Sequence, residues 1–339
     1  MPHVVAALDK YRGTLSARDA AQAVARAAAE AGWSCDKAPM SDGSEGFLDA
    51  FAGFGRHQFT RVTGPLGARL EAQWLLGRDS DDPNLCVAVV ESALAIGLSL
   101  AGGLEANDPV GASSAGVGQL VAAAVKAGAR QVLVGLGGTA TTDGGLGAID
   151  ALAPSGRQPN AEIFVACDVE TKFLEAAAIF SPPKGAAPAQ VELLSRRLER
   201  VAQLYEERFG VDVRELPGGG AAGGLAGGLA AIGAKLLPGF DLVADRLSLA
   251  ERIATADLVV TGEGHFDGRS LAGRVVGGVA NLASLAAVPL LVVAGDGDPA
   301  APLPFVSLVE RFGAERSWSM AADCVTEVVA DRLARGTAS

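Results

Sequence analysis

Five continuous apolar runs punctuate the chain: 4–8 before Asp9, 132–136 before Gly137, 163–167 before Asp168, 258–262 before Glu263 and 290–295 before Asp296. A strand with one face in water alternates apolar and polar positions, whereas a strand covered on both faces is apolar throughout. The runs therefore predict buried parallel strands. Helical segments lie between them. Residues 17–31 are alanine-rich, with Ser16 placed to cap the start and Gly32 to stop the end. Residues 118–126 have the same small apolar character, and 191–208 form a longer, charged amphipathic stretch. The longest uncharged stretch, 275–295, holds Asn281, Ser284 and Pro289 and divides into a small-residue helix and a strand rather than a membrane span.

This alternation predicts an α/β class: two α/β domains with mainly parallel sheets flanked by helices, of Rossmann- or flavodoxin-like architecture, with a cleft between the domains. A length of 339 residues suits two such domains. We expect one from 1–60 plus 255–339, and the other from 61–254. Ligands in such sheets bind beyond the carboxyl ends of the strands, where the aspartates and glutamate lie. Any one of them also reads as a helix cap or turn former. The four together, with the glycine loop at the fifth strand end, point toward a metal or polyanion site.

The chain carries 39 acidic and 28 basic residues, net −11, which argues against a broad surface for nucleic acid or anionic membrane. Cys35, Cys86, Cys167 and Cys324 lie far apart without metal-ligand spacing, and fit core thiols in a reducing compartment. The first residues read as a strand rather than a signal peptide, so the expected location is cytoplasmic. Glycine is abundant, 44 residues, and clusters at 137–147 and 218–228. The first cluster follows a predicted strand and opens a helix, the context in which backbone N–H groups wrap a phosphate. The second follows no clear strand and reads as a close-packed helix start or loop. No P-loop is present, and GLGGTATTDGG does not match a GxGxxG fingerprint that follows a strand with an acidic residue about twenty positions on. Of three histidines only His265 falls in a candidate site, so Ser-His-Asp chemistry is poorly supplied.

The chemistry-bearing stretches are ALDKYRGTL (7–15), PMSDGSEG (39–46), VTGPLG (62–67), GGTATTDGG (137–145), ACDV (166–169) and TGEGHFDGRS (261–270). In this order, and with SPPKGA (181–186) and PGFDLVAD (238–245), the sequence resembles the bacterial type I glycerate kinase family over nearly its whole length. The chain reads as a divergent, shortened member. The family pattern Asp-Ser-Phe-Lys-Gly-Ser-Leu falls on Asp9 to Leu15, with Lys10 for serine and Arg12 for lysine. Its Asp-Gly-Gly-Glu-Gly loop falls on Asp42 to Gly46, with Ser44 for a glycine. Thr139 and Thr142 replace serine and asparagine in the 137–145 loop, and His265 replaces an arginine. A Thr-Thr-Ser-Tyr-Gly stretch becomes Ala112-Ser113-Ser114-Ala115-Gly116, an Asn-Pro-Leu segment after ACDV is absent, and the segment between Asp150 and Ile163 is shorter.

The resemblance implies phosphorylation of glycerate with ATP and magnesium, the 2-position favoured over the 3-position. Phosphoryl transfer needs magnesium-held phosphates, positive charge and a positioner for the attacking hydroxyl. Asp168 leads as the hydroxyl-activating carboxylate, with Asp9 second. Arg12 suits the glycerate carboxylate or the γ-phosphate. Asp42 and Glu45, on one glycine turn, suit hydrated magnesium or the substrate hydroxyl, and Ser113 and Ser114 suit substrate binding. Gly137, Gly138, Thr139, Thr142, Asp143 and Gly144 form the expected phosphate loop; Glu263 and Asp267 join Asp42 as expected magnesium-linked carboxylates. Closure of the domains over the substrate is expected, to exclude water. The family polar groups lost at Thr142, His265, Ala112 and Ala115 keep open a non-catalytic relative that binds a nucleotide or sugar acid, as well as a kinase for another small hydroxy acid.

Overall fold

The computed structural model describes residues 1–79, 81–153, 159–271 and 274–336; the side chain of Arg269 also lies outside the description. Part of the shortened segment after Asp150, residues 154–158, therefore lies outside the described residues. The strands are β1 His3–Ala6, β2 Ser34–Lys37, β3 Gly55–Thr63, β4 Arg69–Arg78, β5 Cys86–Glu91, β6 Gln131–Gly135, β7 Glu162–Ala166, β8 Lys235–Leu237, β9 Leu258–Phe266, β10 Leu290–Gly297 and β11 Val306–Ser307. All five predicted apolar runs contribute strands. The chain is α/β, with mostly parallel sheets flanked by helices.

Two compact units emerge: residues 1–42, 49–52 and 238–339 form the first, and 43–48 and 53–237 the second. Relative to the boundaries expected from sequence, 53–60 lies with the second unit because β3 pairs with β4 along its whole length. Residues 238–254 lie with the first, where Phe240 packs on Gly278.

The first unit is built on a sheet of order β11-β10-β9-β1-β2, parallel throughout. Alternate residues of its strands serve different cores. Val4, Ala6, Val260 and Val293 bury against the helices Ala17–Glu30 and Ala321–Gly336, while Val292, Ala294 and Phe266 join Val276 of the helix Val275–Leu285. Both faces are covered, which is why the runs are apolar without alternation. The helix Ala17–Glu30 starts as its sequence predicts: the Ser16 hydroxyl accepts the Asp19 N–H at 3.1 Å, satisfying one donor of the first turn. The stretch 275–295 divides into a helix and a strand, and no helix among the described residues is long and apolar enough to cross a membrane.

The second unit carries the sheet β3-β4-β5-β6-β7-β8, antiparallel from β3 to β5 and parallel from β5 to β8. Its core joins Ala88, Val90, Val132, Val134 and Val165 to the helices Ala115–Lys126, Pro188–Phe209 and Ala221–Ala231. The β3–β4 hairpin has no counterpart among the predicted runs. β3 is polar and mostly exposed or half-buried, a pattern the search for continuous apolar runs passes over. The VTGPLG stretch is its turn, closed by Gly64 N–H to the Ala68 carbonyl at 2.7 Å with Gly67 at a φ of +89°.

Candidate active site

In the first unit the chain leaves β1 to one side for β2, then returns to the other side of β1 with β9 and β10. Strand order reverses at β1, and the carboxyl ends around such a reversal leave a crevice. A pocket of about 530 Å3 opens there, lined among others by Asp9, Lys10, Arg12, Asp42, Glu263, His265, Asp267, Arg274 and Asp296. The turn after β1 is held rigidly. Tyr11 is buried and donates its hydroxyl to the Val293 carbonyl at 2.7 Å, its N–H bonds the Leu15 carbonyl at 2.8 Å, and Gly13 takes a φ of +83°. This anchor fixes the backbone that presents Lys10 and Arg12 on either side of Tyr11.

Electrostatics in this pocket are dominated by crowded, desolvated carboxylates. Burial pushes Asp9 up to about 7; Asp42 and Glu263 add to the rise, and the Lys10 ammonium and N–H oppose it. Lys10 Nζ stands 3.8 Å from Asp9 and 3.9 Å from Asp42, a positive charge between two negative ones. Burial also raises Glu263, with Ser270 and Arg274 opposing and Asp267 and Asp42 adding to it. Glu263 Oε1 is buried without a hydrogen-bond partner. Beside it, at a more exposed edge, His265 Nδ1 and Asp296 Oδ1 pair at 2.6 Å across β9 and β10.

Among the described residues no three metal-ligating groups are arranged to hold an ion by themselves. Magnesium asks for less: one or two carboxylates, with water and substrate oxygens completing its shell. An orphaned carboxylate oxygen in a group of carboxylates that hinder one another's ionisation fits one such cation.

In the second unit the loop after β6 is braced from several sides. Gly137 N–H bonds the Gly43 carbonyl at 3.2 Å, Ala140 N–H the Ile96 carbonyl at 2.8 Å and Gly144 N–H the Gly223 carbonyl at 3.0 Å. Asp143 accepts from Ser114 N–H and Oγ–H, both at 2.8 Å, from Gly145 N–H at 3.1 Å and from Gly147 N–H at 3.2 Å. Its carboxylate is thus committed to shaping the loop. The second glycine cluster opens the helix Ala221–Ala231 and presses on the first: Gly223, Gly224 and Gly228 leave no room for a Cβ against Thr141, Gly144 and the Gly144 carbonyl. Thr141 and Thr142 are buried, and their hydroxyls have no partner.

The expected site residues therefore fall into two groups. Asp9, Arg12, Asp42, Glu263 and Asp267 meet in the pocket of the first unit. Gly137, Gly138, Thr139, Thr142, Asp143 and Gly144 form the loop of the second, and Glu45 lies against Gly138 there. Asp42 and Glu45, expected as one pair, belong to different units because the boundary runs between Asp42 and Gly43. Asp168 stands beyond the carboxyl end of β7 in the second unit. Ser113 Oγ accepts the Ala115 N–H at 3.3 Å, and the wholly buried Ser114 hydroxyl is spent between Asp143 and the Ala148 N–H, at 2.8 and 3.0 Å. Ser114→Ala is expected to cost about 1–3 kcal/mol, by leaving buried partners unpaired, with the KM for substrate unchanged. Urea denaturation beside steady-state kinetics checks both; a raised KM without lost stability would restore Ser114 to substrate binding.

Two buried charged residues among those described have no place among the sequence-predicted site residues. Glu91, at the end of β5, accepts Gly46 N–H and Leu48 N–H, each at 3.0 Å, and so holds the segment after Gly43. Lys184 is buried against the 137–145 loop. In the sequence it stands inside the SPPKGA motif of the family resemblance, enclosed by Pro182, Pro183 and Gly185.

Comparison with known proteins places this geometry. The profile of the glycerate kinase family matches residues 4–157 and 153–305. The chain belongs to the glycerate kinase family. Within the family, the chain is 35% identical over 328 residues to the glycerate 2-kinase of Escherichia coli K12, covering 86% of this chain and 84% of that one. It is 41% identical over 308 residues to an uncharacterised protein of Mycobacterium bovis, covering 86% and 78% respectively. A solved chain described as glycerate kinase 2 from Salmonella typhimurium LT2 superposes with a TM-score of 0.83 at 33% identity, covering 99% of this chain and 98% of that one. The family resemblance carried by the motifs is thereby established, and with it the α/β fold.

Proposed function

We propose that this glycerate kinase family member transfers the γ-phosphoryl group of ATP to glycerate, at the 2-hydroxyl, using magnesium. The observation that carries the reading is the pocket at the strand reversal of the first unit, where a half-buried carboxylate poised near neutrality stands beside Arg12 and Lys10. A general base works best with a proton affinity close to that of its surroundings. Asp9 takes the proton of the attacking hydroxyl, and Arg12 clamps the substrate carboxylate through its planar fork. Lys10 offsets the charge of Asp9 and Asp42. Asp42 and Glu263, with Asp267 beside them, would hold magnesium, which when bound neutralises phosphate charge. In the second unit Gly138 and Thr139 offer backbone and hydroxyl donors to phosphate oxygens, and Asp143 keeps the loop in shape for them. The 2-position is favoured by the likeness to the Escherichia coli protein, named a glycerate 2-kinase. The reading includes a cytoplasmic location, in keeping with four free cysteines.

A coupled assay of ADP release tests the whole. Glycerate is expected to stimulate turnover in magnesium-ATP, chelation to abolish it and added magnesium to restore it. Enolase acts directly on a 2-phosphoglycerate product, whereas a 3-phosphoglycerate product needs a mutase first. Absence of ADP release with glycerate and related hydroxy acids at saturating magnesium-ATP would leave the chain as a binding relative.

A further inference from the structure

Lys184 ends the 3-10 turn Pro182–Lys184 and is only 8% exposed. Its ammonium donates to the Thr141 carbonyl at 2.5 Å and to Thr139 Oγ1 at 3.3 Å, both neutral acceptors. Asn107 ties the same pieces together, its Nδ2 donating to the Ala140 carbonyl at 3.1 Å and the Lys184 carbonyl at 2.9 Å. Burial lowers the Lys184 amine to about 7, and Asp143 is the one charged group whose influence opposes this among the described residues. Asp143, however, is already engaged by four donors. A buried cation without a dedicated counter-ion is costly, and so is a buried hydroxyl without a partner. Thr141 Oγ1, Thr142 Oγ1 and Asn107 Oδ1 are all buried and unpartnered in this neighbourhood. The loop thus combines a buried ammonium lacking an anion with unspent hydroxyl donors.

We propose that Lys184 is a positioning residue for the nucleotide's phosphates, supplying behind Thr139 and Thr141 the positive charge that holds a phosphoryl group on the Gly138–Thr139 stretch. The inference rests on the assignment of the phosphate site to this loop. Its electrostatic consequence is specific. A phosphate dianion near the amine favours the ammonium, so nucleotide binding must draw in a proton wherever the free protein has lost it. At pH 8 an amine with a pKa of about 7 is mostly neutral, and full protonation on binding corresponds to an uptake of about 0.9 proton.

Calorimetric titration of the intact protein with ADP at pH 8, in two buffers of different ionisation enthalpy, measures that uptake directly; ADP itself is fully ionised there. The wild-type protein is expected to take up about 0.9 proton. Lys184→Met is expected to bind ADP about ten-fold or more weakly and without uptake. Wild-type uptake below about 0.2 proton at every pH from 7 to 10 overturns the proposal whether or not the variant folds, and so does a folded Lys184→Met protein with wild-type affinity and uptake. Thr139→Val separates this from failure of the underlying assignment. If ADP binds the wild-type protein and Thr139→Val leaves its affinity unchanged, the loop is not the phosphate site. If Thr139→Val weakens binding while Lys184→Met does not, the loop stands and the role of Lys184 falls. Absence of ADP binding by the wild-type protein overturns the nucleotide reading and this inference with it.

Discussion

Asp9→Asn is expected to lower kcat with glycerate by about a thousand-fold, within the range that positioned acid–base groups contribute, while ADP affinity stays within a few-fold of wild type. The substitution keeps size and leaves an oxygen to accept the Lys10 N–H, which bonds Asp9 Oδ1 at 2.7 Å, so the turn after β1 survives. What disappears is a carboxylate whose burial and carboxylate neighbours raise its proton affinity to neutrality. Such a group takes a hydroxyl proton more readily than an exposed aspartate, and an amide cannot take one at all. Asp168→Asn provides the comparison, because Asp168 is the leading hydroxyl-activating candidate on sequence grounds. Less than a ten-fold loss there beside a large loss at Asp9 places the base in the first unit. If Asp9→Asn keeps kcat within ten-fold and Asp168→Asn does not, the two roles are reversed. Single-turnover measurements keep product release from masking the chemical step.

Gly223→Ala is expected to destabilise the protein by about 2–5 kcal/mol, the sum of left-handed backbone strain and overpacking. Gly223 adopts a φ of +69° at the kink that begins the helix Ala221–Ala231, and a Cβ there would collide with the Thr141 carbonyl oxygen. That oxygen also accepts the Lys184 ammonium, so the clash strikes the brace of the glycine loop. Gly210→Ala separates the two contributions. Gly210 has nearly the same φ, +70°, but a Cβ added there would meet nothing within 4 Å, so it reports strain alone, about 1–2 kcal/mol. Urea denaturation of the two variants decides the matter. A Gly223→Ala loss no greater than that of Gly210→Ala would mean that the helix start yields without disturbing the loop.

Much of the site is readable in the sequence because parallel strands covered on both faces leave an unbroken apolar signal that stops abruptly at the strand end. Asp9 and Glu263 stand at two such stops, and the structure brings them into one pocket. The glycine loop is readable for the same reason, following the run 132–136. Other features leave no local mark. The β3–β4 hairpin is polar enough to pass for loop. Ser114 looks like a ligand residue, and its burial under Asp143 depends on a helix and a loop 29 residues apart in sequence. Asp42 and Glu45 share a five-residue motif, yet their backbone departs into different compact units between them.

The sequence by itself determined the α/β class, the order of the motifs that identify the family, and the carboxylates and glycines that end its strands, because each depends on residue type and near neighbours. Tertiary structure alone decided which of those groups meet. It set Asp42 and Glu263 close enough to Asp9 to raise its proton affinity, committed Asp143 to four internal donors, and enclosed Lys184 against Thr139 and Thr141. Desolvation and charge crowding arise from groups distant in sequence, so the proton affinity of Asp9 and the unpaired charge of Lys184 become visible only after the chain has folded.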